Sequence, residues 1–248
     1  MAGIVAIAFV FGLVAGSFVS AVAHRVPLGI SIVGPRSRCP ACDGTIAAYD
    51  NVPVLSWTLL RGRARCCGAP ISSRYPLTEL ALGLLFALTV VIYYDEPAEA
   101  AIGLVFLTML AAVTLTDLEH RIIPNKILLA GAIICLAIAI PTDLSSLPER
   151  VIAAAAAGGL FFLVALAYPK GMGLGDVKLT ATMGLFLGRA VAPALLVALL
   201  VGSLVGLALI VRHGSSARKM AIPFGPFLAL GGVVALLVGD QLIDLYLG

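Results

Sequence analysis

Long apolar segments dominate this 248-residue chain and constrain its fold more than any other feature. A helix that crosses a bilayer needs roughly 20 mostly apolar residues, and backbone groups in lipid must be satisfied within the segment. The sequence therefore predicts an all-α polytopic integral membrane protein with about eight transmembrane helices. The predicted spans are 3–23, 77–94, 100–116, 127–140, 151–168, 177–190, 191–211 and 224–246.

Composition supports lipid as the main solvent. Only 12% of the residues are charged, whereas soluble domains average about 25%. The net charge is only +3, so nucleic acid is not an expected partner. No Lys or Arg precedes the first apolar run, which is also longer than the core of a signal peptide. We therefore expect the first segment to be retained as a helix.

Lysine and arginine are distributed unevenly over the predicted loops, and cytoplasmic loops characteristically carry the excess. With the N-terminus outside, Arg150 and Arg189 alone fall on the outer side. The outer loops collect acids instead, including Asp95, Asp143 and Asp240. This distribution predicts an outer N-terminus. The remaining cations then lie in cytoplasmic loops, at Arg25, Arg36, Arg38, Arg61, Arg63, Arg65, Arg74, Arg121, Lys126, Lys170, Lys178, Arg212, Arg218 and Lys219.

One loop, residues 24–76, is much larger than the others and contains four of the five cysteines. The spacing of those four indicates a tetrahedral zinc site, in a loop predicted to face a reducing compartment. A domain of roughly 50 residues gains from such a metal. Free thiols are the alternative, because two adjacent cysteines reach one metal less easily than a spaced pair. The tentative ligands are Cys39, Cys42, Cys67 and Cys66.

Two aspartates lie at predicted cytoplasmic helix ends. Asp117 closes the third span and Asp176 opens the sixth, so both fall at one membrane face. Charged groups at membrane depth are costly and usually functional. Two carboxylates that share one proton can act as base and acid in peptide hydrolysis. Taken singly, Asp117 could form a salt bridge with Arg121, and Asp176 could be a helix N-cap.

Residues beside the two aspartates are candidate auxiliary groups. Glu119 is two positions from Asp117, and Lys178 is two positions from Asp176. Gly171, Gly173 and Gly175 lack side chains where an extended substrate backbone would approach the second aspartate. They could instead form a hinge. No strand or Lys-Ser/Thr pair accompanies them, which argues against a phosphate-binding loop.

Taken together, these motifs resemble the bacterial type IV prepilin peptidases, aspartyl peptidases with a Gly-x-Gly-Asp motif. The resemblance covers nearly the whole chain. Besides the two aspartate segments, it is carried by Gly16-Ser17-Phe18, His24-Arg25-Val26-Pro27, Arg38-Cys39-Pro40-Ala41-Cys42, Asn51-Val52-Pro53-Val54-Leu55-Ser56-Trp57, Gly68-Ala69-Pro70-Ile71-Ser72-Ser73-Arg74-Tyr75-Pro76-Leu77-Thr78-Glu79-Leu80 and Pro223-Phe224-Gly225-Pro226-Phe227.

The resemblance implies an enzyme of the bacterial inner (plasma) membrane with its active site at the cytoplasmic face. Such enzymes cut the basic leader from prepilins or pseudopilins with a pair of aspartates, here matched by Asp117 and Asp176. They also N-methylate the new N-terminal residue with S-adenosylmethionine. No Gly-rich Rossmann motif is present, so we assign no residue to that cofactor. The peptidase step needs no cofactor, and the expected partners are prepilin N-terminal segments and membrane lipid.

The cysteine loop departs from the family pattern, because Ala64 stands where the first cysteine of the second pair is expected.

The expected division is a first helix (1–23), a cysteine-rich cytoplasmic domain (24–76) and a membrane-embedded peptidase domain (77–248). Peptidase activity alone is one alternative, as is a zinc-stapled scaffold without catalysis. A proton-coupled transporter is another, although such carriers often show inverted repeats and midplane acids.

Overall fold

The computed structural model describes residues 1–32, 34, 37–169, 171–214 and 222–247. The prediction of an all-α membrane protein with a small cysteine-containing loop after the first helix is confirmed. In the described residues, extended pairing is limited to two isolated bridges, Arg38–Thr45 and Arg63–Pro70. The α-helices are α1 (Ala2–Arg25), α2 (Leu55–Leu59), α3 (Arg74–Ile92), α4 (Pro97–His120), α5 (Asn125–Thr142), α6 (Leu147–Ala167), α7 (Leu174–Leu187), α8 (Val191–His213) and α9 (Gly225–Leu247).

Among the described residues, seven helical stretches are long and apolar enough to cross a membrane. One of them, Leu174–His213, has 40 residues and contains both α7 and α8. The eight predicted spans thus correspond to α1 and to α3 through α9 of the described residues. Of these helices α7 is short, with 14 residues. At about 1.5 Å per residue it is about 21 Å long, less than the roughly 30 Å of a hydrocarbon core.

The break between α7 and α8 is stabilised by two charged side chains of α6. Gly188 turns the chain with a φ of +54°, a left-handed conformation that favours glycine. The buried Arg150 donates a 2.7 Å hydrogen bond to the carbonyl oxygen of Phe186, at the end of α7. Oε1 of Glu149 accepts a 2.9 Å hydrogen bond from the backbone N–H of Arg189. Backbone groups at the end of a short helix therefore find partners within the protein.

The chain divides into two compact units, Met1–Ala100 and Ala101–Gly248. In the first unit α1 packs closely on α3. A Cβ atom added at Gly12 would lie 2.6 Å from the carbonyl oxygen of Leu82, and one at Gly16 would lie 2.5 Å from Cα of Glu79. Small residues four positions apart let membrane helices approach in this way. This unit therefore contains α1, the cysteine-bearing loop and α3.

The second unit is built around α4. Phe106, Leu107 and Leu110 of α4 are almost completely buried, as are Met183 of α7 and Leu228 of α9. Glycine again permits close helix packing, since a Cβ at Gly184 of α7 would lie 2.6 Å from the carbonyl oxygen of Ala153 in α6. A buried central helix fixes its own C-terminal end, which is where Asp117 lies.

The orientation across the membrane stays a prediction. Four of the cations on which it rests, Arg36, Lys170, Arg218 and Lys219, lie outside the described residues. Of the two cations predicted to lie outside, the buried Arg150 caps α7, while Arg189 pairs with Asp240 at 3.1 Å.

Candidate functional site

Asp117 lies in the last turn of α4 and is buried, with 6% of its surface exposed. The helix ends just beyond it, where Arg121 adopts a φ of +54° and its backbone N–H donates to the carbonyl oxygen of Asp117 at 2.9 Å. The side chain of Asp117 is held by another element. Its Oδ2 accepts a buried 2.9 Å hydrogen bond from the backbone N–H of Gly225.

Gly225 is the first residue of α9, so the N-terminus of α9 is directed at Asp117. A Cβ atom at position 225 would lie 2.7 Å from Oδ2 of Asp117, closer than any van der Waals contact. Only glycine fits here without displacing the carboxylate. The sequence motif Pro223–Phe227 did not lead to a predicted role for Gly225. A glycine between an aromatic residue and a proline, just before an apolar helix, is the sequence feature that could have indicated one.

Asp176 lies in the first turn of α7, next to Gly175, which packs against Ile123 in the segment that follows Asp117. The helix begins at Leu174, with Gly173 as its N-cap. The N-cap alternative for Asp176 is therefore wrong. The expectation that the two aspartates share one site is consistent with this geometry, since the end of α4 and the start of α7 meet there.

The glycines before Asp176 differ in their surroundings. Gly173 is exposed, and a Cβ added to it would lie 3.4 Å from Oδ2 of Asp176. Its surface is thus open beside the carboxylate, as expected for an approaching peptide. Gly175 instead faces Ile123, whose Cβ would lie 3.1 Å from an added Cβ. Gly175 therefore lets the two aspartate segments pack together, and Gly171 lies against the ring of Tyr168.

The predicted auxiliary residues also differ. Nζ of Lys178 donates a 3.1 Å hydrogen bond to Oδ1 of Asn125, which links α7 to the first residue of α5. The carboxylate of Glu119 lies 3.9 Å from Nε2 of His120, at the exposed end of α4. The hydrogen bond of Lys178, two positions after Asp176, thus ties α7 to α5.

The four loop cysteines form a compact cluster in the first unit. Their Sγ atoms all lie within 4.8 Å of one another. The Cys39–Cys67 and Cys42–Cys66 sulfur distances are 3.7 and 3.3 Å. Four thiolates at about 2.3 Å from a tetrahedral zinc lie about 3.8 Å apart, so the cluster could hold such a metal. The adjacent cysteines Cys66 and Cys67 can thus reach the same metal position as Cys39 and Cys42.

The cluster is built by two hairpins with the same backbone pattern, offset by 25 positions, a repeat not found by sequence inspection. In the first, residue 39 donates to the carbonyl oxygen of residue 44, and residue 43 donates to that of 39. In the second, residue 64 donates to 69, and residue 68 donates to 64. Ala64 is therefore the structural equivalent of Cys39, and Cys67 that of Cys42.

The thiols of the metal-free cluster differ in acidity. The backbone N–H groups of Ala41 and Cys42 lower the pKa of Cys39 to about 7. The pKa of the Cys66 thiol is raised to about 12 by the hydrogen bond between Cys66 and Cys42. The fifth cysteine, Cys135, is buried within α5.

Comparison with known proteins gives a consistent result along the chain. Residues 10–93 match the Bacterial Peptidase A24 N-terminal domain, and residues 104–211 match the Type IV leader peptidase family. A prepilin leader peptidase/N-methyltransferase of Bacillus subtilis is 37% identical over 243 residues, covering 97% of each chain. That of Aeromonas hydrophila is 35% identical over 270 residues, covering 96% of this chain and 92% of the relative. No solved structure matches the chain.

Proposed function

Because this chain belongs to the type IV leader peptidase family, we propose that it cleaves the leader of prepilins or pseudopilins and N-methylates the new N-terminus. The observation that carries the peptidase half is the packing of Gly175, next to Asp176 at the start of α7, against Ile123, six residues after Asp117 at the end of α4. Relatives that match this chain over most of its length are prepilin leader peptidase/N-methyltransferases. We place the enzyme in a bacterial inner membrane with this site at the cytoplasmic face.

The aspartate pair supplies the base and the acid of hydrolysis. One ionised carboxylate takes a proton from a water molecule, whose oxygen attacks the scissile carbonyl carbon. The other, protonated, carboxyl gives its proton to the carbonyl oxygen. The tetrahedral intermediate then collapses and the C–N bond breaks. The leaving nitrogen takes the proton that the first carboxylate accepted from water, and a hydroxyl of the intermediate returns a proton to the second carboxylate as the new carboxyl group forms. The backbone N–H of Gly225 donates to Oδ2 of Asp117 and so holds this carboxylate in place.

Gly173 gives the substrate access to the pair. Its exposed surface beside Oδ2 of Asp176 has no side chain, so an extended peptide backbone can approach the carboxylate closely. Lys178 holds the start of α7 against α5 through Asn125, and we propose that it positions Asp176. We also propose Glu119, at the exposed end of α4 two positions from Asp117, as an auxiliary residue.

The methyltransferase half follows from the names of the relatives. S-adenosylmethionine would supply an electrophilic methyl group for the new N-terminal amine. The cysteine cluster of the first unit could hold zinc through Cys39, Cys42, Cys66 and Cys67, because their spacing fits a tetrahedral site. We propose a structural role for this metal, since four protein ligands leave no open coordination position. The division into a first helix (1–23), a cysteine-rich cytoplasmic domain (24–76) and a membrane-embedded peptidase domain (77–248) stays a prediction.

The peptidase proposal is tested with the purified full chain and a prepilin-like peptide. Asp117→Asn and Asp176→Asn should each abolish cleavage while helix content, measured by circular dichroism, stays unchanged. Asp240→Asn is the matched control, because its exposed carboxylate pairs with Arg189 and should be dispensable for cleavage. Full activity in either of the first two variants would overturn the assignment. Mass spectrometry of the product tests the second half, since an unmethylated amine in the presence of S-adenosylmethionine rejects it.

A further inference from the structure

The short helix α2 exposes its apolar residues and buries a polar one. Leu55 and Leu59, one turn apart on the same side, are 60% and 81% exposed. Ser56 is buried, and its hydroxyl donates a 2.8 Å hydrogen bond to the carbonyl oxygen of Tyr49. This arrangement is the reverse of that expected for a helix surrounded by water. The exposed face of α2 would be more stable in an apolar environment.

The depth of α2 is fixed by a carboxylate within a membrane-spanning helix. The backbone N–H of Val54, which directly precedes α2, donates a 2.7 Å hydrogen bond to Oε2 of Glu79. Glu79 is buried and lies about 7.5 Å along α3 from Arg74, inside the candidate span Arg74–Ile92. The first turn of α2 therefore lies at the depth of this part of the span.

The backbone of Val54 indicates that this position is imposed. Its φ of +60° is rare for a β-branched residue and unfavourable without compensation. The hydrogen bond to Glu79 and the one from Ser56 N–H to the carbonyl oxygen of Val52 hold the segment on both sides of Val54. The start of α2 is thus fastened to α3 rather than free to move away from it.

The surroundings identify lipid as the partner of this face. Leu77 and Leu84 of α3, which are 62% and 57% exposed, are apolar residues on the outer surface of the same candidate span. After α2 the chain exposes Arg61 and Arg63. Basic residues next to an interfacial apolar face attract anionic lipid headgroups. A basic leader peptide would be repelled by the same arginines.

We propose that α2 is an interfacial anchor inserted in the leaflet on its side of the membrane. Leu55 and Leu59 lie among the acyl chains, and Arg61 and Arg63 contact the phosphates of anionic lipids. Glu79 sets the depth of the anchor through the backbone of Val54. This anchor holds the cysteine-bearing loop at the membrane surface, independently of which reaction the enzyme performs.

The test uses tryptophan fluorescence in nanodiscs, because Trp57 of α2 is the single tryptophan of the chain. The full chain carrying Trp57→Phe and Leu59→Trp is placed in lipid brominated near the carbonyl end of the acyl chains. Insertion predicts that this lipid quenches residue 59 to a similar extent as the lipid-facing control described next, because the apolar face of an interfacial helix lies among the acyl chains. Leu84→Trp in the same Trp57→Phe background is the control for a lipid-facing position, and helix content and bound metal report on folding.

Two results would overturn the anchor. Quenching by aqueous acrylamide without quenching by brominated lipid would mean that residue 59 faces water. Protection from both quenchers would mean that protein covers it, either this chain or a prepilin segment. Native Trp57 lies on the other side of α2, where its indole N–H donates to the carbonyl oxygen of Ile71 at 3.0 Å, so its fluorescence does not report on the face of Leu59.

The electrostatic part and the depth setting have their own variants. Quenching at residue 59 should rise with the fraction of phosphatidylglycerol, and the pair Arg61→Asn and Arg63→Gln should remove that rise. Asparagine tolerates the φ of +52° at position 61. Glu79→Leu should reduce lipid quenching, whereas Glu79→Gln keeps an acceptor oxygen and should not. An indifferent response to lipid charge would reject the arginine contacts, and unchanged quenching in Glu79→Leu would reject Glu79 as the depth-setting residue.

Discussion

The aspartate site and the cysteine cluster are assembled in opposite ways. The first joins the end of α4, the start of α7 and the start of α9, so its parts lie up to 108 positions apart in the chain. The second joins two short hairpins of one loop. A helix end fixes where a side chain is directed, whereas a hairpin of a few residues offers several neighbouring positions for a thiol. The two sites should therefore tolerate displacement of a functional group very differently.

Asp176→Glu gives the largest expected effect, because it moves a carboxylate by one methylene at a fixed helix position. A displacement of about 1 Å can cost about 100-fold in rate, so we expect cleavage of a prepilin-like peptide to fall by at least that factor. Bound metal should not change. Cleavage within a few-fold of the parent would show that the aspartate site is as adaptable as the cysteine cluster.

Gly225→Ala tests the contact that sequence reasoning missed. The added Cβ would lie 2.7 Å from Oδ2 of Asp117, so either the carboxylate or the start of α9 must move. We expect a roughly 10- to 100-fold loss of cleavage, measured on the purified enzyme. Gly206→Ala in α8 is the matched control, since no atom lies within 4 Å of its added Cβ. Equal activity in both variants would mean that Gly225 does not position Asp117.

These cases show which features local sequence determines. Apolar runs predict the helices, and the positions of Asp117 and Asp176 at helix ends follow from the same runs. The partner of Asp117 could not be predicted, because the hydrogen bond from Gly225 depends on how α9 packs against α4. The hairpin repeat could not be predicted because few aligned residues of its two halves are identical; Arg38 and Arg63 are one identical pair. Its equivalence lies in backbone hydrogen bonds.

Cys66→Ser should reduce bound zinc from about one per chain to well below half, since a tetrahedral site loses one of four ligands. Adding Ala64→Cys to that variant should restore binding, because residue 64 is the structural equivalent of Cys39. Zinc is measured by elemental analysis after purification, with Cys135→Ala as the control outside the cluster. Failure of the double variant to recover metal would show that Cys66 occupies a position that the second hairpin cannot supply from residue 64.

The smallest expected effect is a change in proton release when zinc binds to the metal-free cluster. Below pH 7 the Cys39 thiol is mostly protonated and must lose its proton to the metal, whereas above pH 7 it is already a thiolate. Cys66, with a pKa of about 12, releases its proton at either pH. The number of protons released should therefore fall by about one between pH 6 and pH 8. Calorimetry in buffers of different ionisation enthalpy measures this number. A constant value would mean that the N–H groups of Ala41 and Cys42 do not lower the pKa of Cys39, and that the first hairpin is no better prepared for the metal than the second.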